Sequence, residues 1–400
     1  MATAVVEKSG TAVGADTAVL GTYRPAAPLF TAASGCRVVD ADGRMYLDCA
    51  SGIGVNALGY GDPGIAGALH AQLDTGLVHL SNLFRTEPAE LLARELVAQS
   101  FADRVFFCNS GAEANEAAFK FARRHAREIG GAAKHEIVAL RGSFHGRLFG
   151  SLAATDRRAL QEPFEPLMPG VHFIEPGDVA GARAVIAPER TAAIIVEPVQ
   201  GEGGVKPLPR AYLEALRELA DEADAVLIFD EVQCGLGRTG WLFAYEMSGI
   251  TPDILTLAKP LAGGLPMGAA LVTDAVAASI RPGDHATTFG GGPLVAAVAL
   301  HVLRRLADVA FLEGVRARAA HLERRLASIR ALPRVLDVRG MGMMWGIELH
   351  DAAAPFVSAA LESGLLVTAA GEKVIRLLPP LVIGEAEIDE AVDILAEVLN

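Results

Sequence analysis

Cysteine is scarce. Cys36, Cys49, Cys108 and Cys234 are the only four in 400 residues, far apart, with no Cys-x-x-Cys pair and no histidine-rich partner. Neither a disulfide framework nor a zinc site follows from that spacing, so the expected compartment is the reducing cytoplasm and no metal is assigned. Basic clusters are missing too. The formal net charge is −13, and sustained nucleic-acid binding needs a clustered cationic surface that this chain does not offer. Long apolar spans are also lacking, although mean hydropathy is +0.33. The best charge-free candidate after Asp284, from His285 to Leu303, contains His285, Thr287, Thr288, three glycines and Pro293, which would leave polar groups and broken helix in lipid. The first twenty residues have no basic start and no long apolar core, and they carry Glu7 and Asp16 but no arginine. They read as a mobile tail rather than a signal or transit peptide.

What is present is a strong alternation. Half the residues are apolar and the length exceeds what one core usually organises, which predicts two domains. Between about 90 and 275, short apolar runs alternate with amphipathic stretches. Arg104–Cys108, Glu136–Leu140, Ala192–Val196, Ala225–Phe229, Ile254–Leu257 and Ala269–Val272 read as strands. Ala112–His125 and Arg210–Glu222 read as helices. Near-continuous apolar strands alternating with helices predict a mostly parallel sheet covered on both faces. After Pro293 the texture changes: Leu294–Ile329 is helical with a break near Gly314, Val335–Glu348 and Val374–Leu378 read as strands, and Glu385–Leu399 as a closing helix. Residues 36–48, with a turn at Asp42-Gly43, look like a hairpin able to join this smaller α+β part.

Polar residues punctuate the strand ends. Asn109, Glu197 and Asp230 each follow an apolar run, and ligands of open α/β sheets bind outside the carboxyl ends of strands. Asn109-Ser110-Gly111-Ala112 turns from a strand into a helix, whose free amides and positive dipole end favour a phosphate. Asp230 could hold a pyridinium nitrogen protonated, although a strand-end acid can equally be a helix cap. Lys259 follows an apolar strand and precedes Gly263-Gly264; most lysines are solvated charges, but one placed there can form an imine and shuttle protons.

Together the three features are more specific than any one alone. In order along the chain stand NSGAEANEAAFKFAR from Asn109, SFHGR from Ser143, VEPVQGEGG from Val196 and FDEVQCGLGRTG from Phe229. LAKPLAGGLPMGA from Leu257, TTFGGGP from Thr287 and VIRLLPPL from Val374 follow. With these motifs the sequence resembles the class III, ornithine-type aminotransferases of fold type I, most closely the acetylornithine aminotransferases. The resemblance implies a fold type I α/β architecture with pyridoxal 5'-phosphate as cofactor. It implies a tail at 1–20, a segment 21–59 joining the small domain, a large cofactor-binding domain 60–293 and a small domain 294–400. It also implies a homodimer with shared active sites and no membrane or nucleic-acid partner.

Residue by residue, the resemblance makes Lys259 the imine-forming lysine and acid–base catalyst. Ser110, Gly111 and Ala112 would cradle the phosphate, with Thr288 supplied by the neighbouring subunit. Asp230 would pair with the ring nitrogen and Gln233 would reach the phenolic oxygen. Val232 would lie beneath the ring and Phe144 would stack above it, with Glu197 buttressing the Asp230 side. Arg147 is the candidate clamp for a substrate carboxylate, since a guanidinium matches a carboxylate bidentately. Arg376 would pair with Glu202 and open to receive a second carboxylate. Tyr23, Asn82 and Thr287 resemble positions near the substrate.

The implied reaction moves the δ-amino group of N-acetyl-L-ornithine to 2-oxoglutarate, in arginine biosynthesis. Alternative donors are ornithine, 4-aminobutyrate, succinylated ornithine or diaminopimelate, and carrier-bound lysine; rivals of a different class are an aminomutase and a non-catalytic cofactor-binding protein. Two loops depart from the family pattern. Leu58-Gly-Tyr-Gly61-Asp62-Pro63 replaces a turn that often contains histidine, and Gly292 stands where asparagine is common.

Overall fold

The computed structural model describes residues 18–400, so the expected tail at 1–20 lies, as far as residue 17, outside the described residues. Among the described residues, seventeen strands form four sheets. The central sheet takes β4 (Arg104–Cys108), β5 (Glu136–Leu140), β6 (Val171–Ile174), β7 (Thr191–Val196), β10 (Val226–Asp230), β11 (Ile254–Leu257) and β12 (Gly268–Val272). Their spatial order is β4-β12-β11-β10-β7-β5-β6. All neighbours from β11 to β6 pair in parallel, while β12 runs antiparallel to both β11 and β4.

The parallel strands are buried on both faces, which is why their sequences are unbroken apolar runs. Every residue of β7, β10, β11 and β12 is buried. Each fully buried Ile, Leu, Val or Phe there contributes about 1.5–3 kcal/mol of transfer free energy. Helix Gly111–Gly130 lies over β7, β11 and β12, and its buried face is mostly alanine, Ala114, Ala117, Ala118 and Ala122, which lets its axis approach the sheet closely. Gly131, at φ +82°, ends it in a conformation that a side chain resists.

Three smaller sheets complete the molecule. β1 (Phe30–Ser34), β2 (Arg37–Asp40) and β3 (Met45–Asp48) form a meander, and β15 (Leu365–Leu366) joins it in parallel beside β3. β13 (Val335–Met341), β14 (Met344–Leu349), β16 (Thr368–Ala370) and β17 (Val374–Leu377) form an antiparallel sheet ordered β13-β14-β17-β16. β8 (Val199–Gln200) and β9 (Lys206–Pro207) pair as a two-stranded ribbon around the Gly201–Gly204 turn.

One sequence expectation needs correction. The helical stretch after Pro293 breaks between Leu306 and Val309, not at Gly314. Asp308 caps the second helix by accepting from the Phe311 amide at 2.8 Å, a local bond that outweighs the modest penalty of a glycine inside a helix. The unusual turn at Gly61-Asp62-Pro63 has a similar use. Asp62 caps helix Pro63–Asp74 by accepting from the Gly64 and Ile65 amides, and its carboxylate also faces His301 at 3.2 Å. Among the described residues no helix is long and apolar enough to cross a membrane.

Candidate active site

Because β11, β10 and β7 are neighbours, their carboxyl ends carry Lys259, Asp230 and Glu197 side by side, one strand spacing apart, or about 5 Å. They meet at a cavity of about 400 Å³. Lys259 begins a short 3₁₀ turn that Gly263 closes in a left-handed conformation, φ +57°. Burial pushes the Lys259 amine below its ordinary value, opposed by the Asp230 carboxylate and reinforced by the Arg376 guanidinium. Disfavouring the charged form in this way makes a lysine a better nucleophile toward a carbonyl.

Asp230 is buried and answered on both oxygens. Oδ1 accepts from the Val232 amide at 3.0 Å, while Oδ2 accepts from the Asn115 amide and the His145 Nδ1–H, each at 2.7 Å. Asn115 is held in turn by the Thr256 hydroxyl. Three donors thus hold this acid in one orientation at the end of its strand. Asn115 and His145 were given no role by the sequence reading. An asparagine on an otherwise apolar helix face was the signal available for one of them. Glu197 is also buried, and its oxygens accept from the Phe144 and Gly201 amides. Burial pushes its carboxyl up to about 7, with His145 lowering it and Asp230 raising it.

The opposite wall is the start of helix Gly111–Gly130. Ser110 caps it by accepting from the Glu113 amide, and the amides of Gly111 and Ala112 fall outside the helix's own ladder. Gly111 is required sterically: a Cβ there would stand 2.6 Å from Val232 Cγ1. That contact shapes a cradle between the helix start and the Asp230 strand. Phe144 lines the cavity, and the Arg147 guanidinium lies 5.7 Å from its ring centroid. Arg147 is exposed and, among the described residues, has no carboxylate partner.

Arg376 is its opposite. It is 1 % exposed, and its Nη1 donates to Glu202 Oε1 at 2.5 Å and to Gln233 Oε1 at 3.2 Å, while Nε reaches the Thr368 hydroxyl. Arg157 donates to the Glu202 carbonyl and so fixes the turn from behind.

Four sequence candidates stand apart from this cluster. Thr287 and Thr288 line a second concavity together with Asn82, whose amide donates to the Thr287 and Gly290 carbonyls at 2.9 and 3.0 Å. Thr287 is linked to the first cavity by Asn109, which donates to its hydroxyl at 3.1 Å. Tyr23 is exposed on the surface and reaches neither concavity. Gly292 serves as the residue before helix Pro293–Leu306, in the same segment as the two threonines.

An amine, a fully satisfied carboxylate and unladdered helix amides around a glycine cradle fit an aldehyde-bearing, phosphorylated pyridine. The comparisons agree. The sequence profile of the class III aminotransferases matches residues 22–399. Acetylornithine aminotransferase of Alnus glutinosa, a mitochondrial enzyme, is 48 % identical over 386 residues, covering 95 % of this chain and 85 % of its own. Acetylornithine aminotransferase of Methanocaldococcus jannaschii is 43 % identical, covering 92 % of each. Among solved structures, Toxoplasma gondii ornithine aminotransferase, described with partial pyridoxal-phosphate occupancy, superposes with a TM-score of 0.91 at 30 % identity, covering 96 % of this chain and 91 % of that one. N-acetylornithine aminotransferase of Stenotrophomonas maltophilia gives 0.82 at 38 % identity, covering 94 % and 96 %. This chain belongs to the class III aminotransferases, enzymes of fold type I that use pyridoxal phosphate.

Proposed function

We propose that the protein transfers the δ-amino group of N-acetyl-L-ornithine to 2-oxoglutarate, giving N-acetyl-L-glutamate 5-semialdehyde and L-glutamate, as a step of arginine biosynthesis in the cytoplasm. The observation that carries this reading is the pair of unlike arginines. Arg147 stands exposed at the mouth with no carboxylate partner among the described residues, while Arg376 is buried against Glu202 at 2.5 Å. One is always ready for a carboxylate; the other must exchange a partner to accept one. The named activity of the Alnus and Methanocaldococcus relatives supports the choice of donor.

Roles follow from reach and charge. Pyridoxal phosphate supplies an aldehyde that captures the amino group and a ring that withdraws electrons from the carbon losing its proton. Lys259 would hold the cofactor, and its amine, when free, would move the proton at the substrate carbon. Ser110, Gly111 and Ala112 hold the phosphate, with Thr288 from a second copy. Asp230, oriented by Asn115, His145 and the Val232 amide, would pair with the ring nitrogen. Val232 and Phe144, which both line the cavity, would pack on the ring. With acetylornithine the reacting amine lies far from its carboxylate, which rests on Arg147. With glutamate the reacting amine lies next to its carboxylate, which must reach Arg376 after Glu202 yields.

Residues 60–293 form the cofactor-binding domain in this reading; 21–59 and 294–400 form the smaller one, and two copies make the working homodimer. Tyr23, Asn82 and Thr287 complete the substrate end in that dimer. The test is a single-turnover panel. Acetylornithine should outrank ornithine, 4-aminobutyrate and succinyl-diaminopimelate. Arg376→Ala should slow the glutamate half-reaction at least about tenfold more than the acetylornithine one, the scale of a lost charge-assisted pair. Equal losses would sink the two-carboxylate assignment.

A further inference from the structure

Arg376 and Gln233 are joined by a contact whose direction chemistry fixes. A guanidinium is donor-only, so the Gln233 atom facing Arg376 Nη1 at 3.2 Å must be its carbonyl oxygen, as placed. The Gln233 amide nitrogen therefore turns away from Arg376, and Gln233 lines the cavity beside Val232 and Lys259. The Gly201 turn closes the other side. A Cβ at Gly201 would stand 2.0 Å from Gln233 Oε1 and 2.6 Å from its Cδ, so this glycine is what admits the amide. Arg376 Nη1 serves Glu202 and Gln233 together. A ligand carboxylate that displaced Glu202 would therefore meet the same nitrogen that holds the Gln233 carbonyl.

We propose that Gln233 is a positioning residue that couples the carboxylate site at Arg376 to the lysine-bound cofactor, so that filling this site changes the amide donation the cofactor's phenolic oxygen receives. The proposal rests on the carboxylate-exchange reading of Arg376 given above. Its output is the proton affinity of the lysine–cofactor linkage. The charged groups facing Lys259 are Asp230 at the end of β10, Glu197 after β7, Glu202 in the β8–β9 turn and Arg376 on β17. His145 acts on Asp230. Of the groups in contact with Arg376, Gln233 is the one that both lines the cavity and is uncharged. It can therefore pass on the arginine's position without adding a charge of its own.

The test uses the holoenzyme and glutarate, a dicarboxylate with no keto group to react. The visible absorption of the lysine-bound cofactor is titrated against pH with and without saturating glutarate. In the wild type, glutarate should move the apparent pKa by about half a unit or more. Gln233→Met should lose at least about half of that movement while calorimetric glutarate affinity changes less than about threefold. Gly201→Ala, which pushes the amide aside but leaves Gln233 in place, should do the same. A wild type with no movement, or variants that keep all of it, would overturn the coupling. Arg376→Ala separates the two ideas. If that variant still binds glutarate normally, the carboxylate assignment fails; if it does not, and Gln233→Met keeps the full shift, the coupling alone fails.

Discussion

The floor of the cleft and its rim are built on different terms. On the floor, Asp230, Glu197, Asn115 and Arg376 are buried and each finds hydrogen-bond partners within the chain. The rim, residues 78–84 and 283–292, shows the reverse. Leu83 is 87 % exposed, Phe84 64 % and Phe289 66 %, beside the polar pair Thr287 and Thr288. Large apolar side chains left in water around a polar concavity mark a surface meant to be covered. The floor's polar groups answer one another within one chain, whereas the rim is the face that a second copy would cover in the proposed homodimer.

The largest effect should come from breaking the floor. Lys259→Ala removes the amine, and transamination should fall by at least about 10³-fold, within the range of lost acid–base catalysis. After borohydride reduction, mass spectrometry should find no covalently retained cofactor, with the circular dichroism unchanged; retained cofactor would place the attachment elsewhere.

A smaller effect should come from the rim. Phe289→Asp puts a carboxylate into the exposed apolar patch and should convert dimer to monomer in sedimentation velocity. Activity should drop about tenfold or more, since burying an unpaired charge costs several kcal/mol. A fully active monomer would show that the rim contributes nothing to the site and would remove the contrast.

The smallest effect is one of pH, and it belongs to the floor alone. Burial raises the Glu197 carboxyl from its ordinary 4.5 to about 7. Over that interval the folded chain holds a proton that the unfolded chain releases, so stability falls as pH rises from about 4.5 to about 7. Glu197→Gln should flatten the decline in melting temperature across that window by roughly one to a few degrees. Phe289→Asp should leave the decline as it is. An unchanged slope in Glu197→Gln would show that Glu197 is ionised throughout.

Much of this was legible in the sequence, for a physical reason. Strands buried on both faces must be apolar throughout, so the polar residues that end them stand out, and Asp230, Glu197 and Lys259 were found that way. Strand order was not legible. The antiparallel Gly268–Val272 is as apolar as its parallel neighbours, and period and composition carry no direction. The β6 strand was overlooked because Val171-His-Phe-Ile174 is short and only its last residue is buried. His145 and Asn115 meet Asp230 from 85 and 115 residues away, and neither lies at a strand end. The pairing of Glu202 with Arg376, 174 residues apart, came from the motif resemblance.

The reversed strand β12 has a kinetic meaning. A parallel successor to β11 would need a crossover of a dozen or more residues, usually a helix, before the chain could return to the sheet. Because β12 runs the other way, residues 258–267 close the connection directly, clamped at both ends by paired strands. Lys259 thus sits on a short tether with little volume to search. In the role proposed for Lys259, such confinement would give its amine a high effective molarity toward the cofactor carbon.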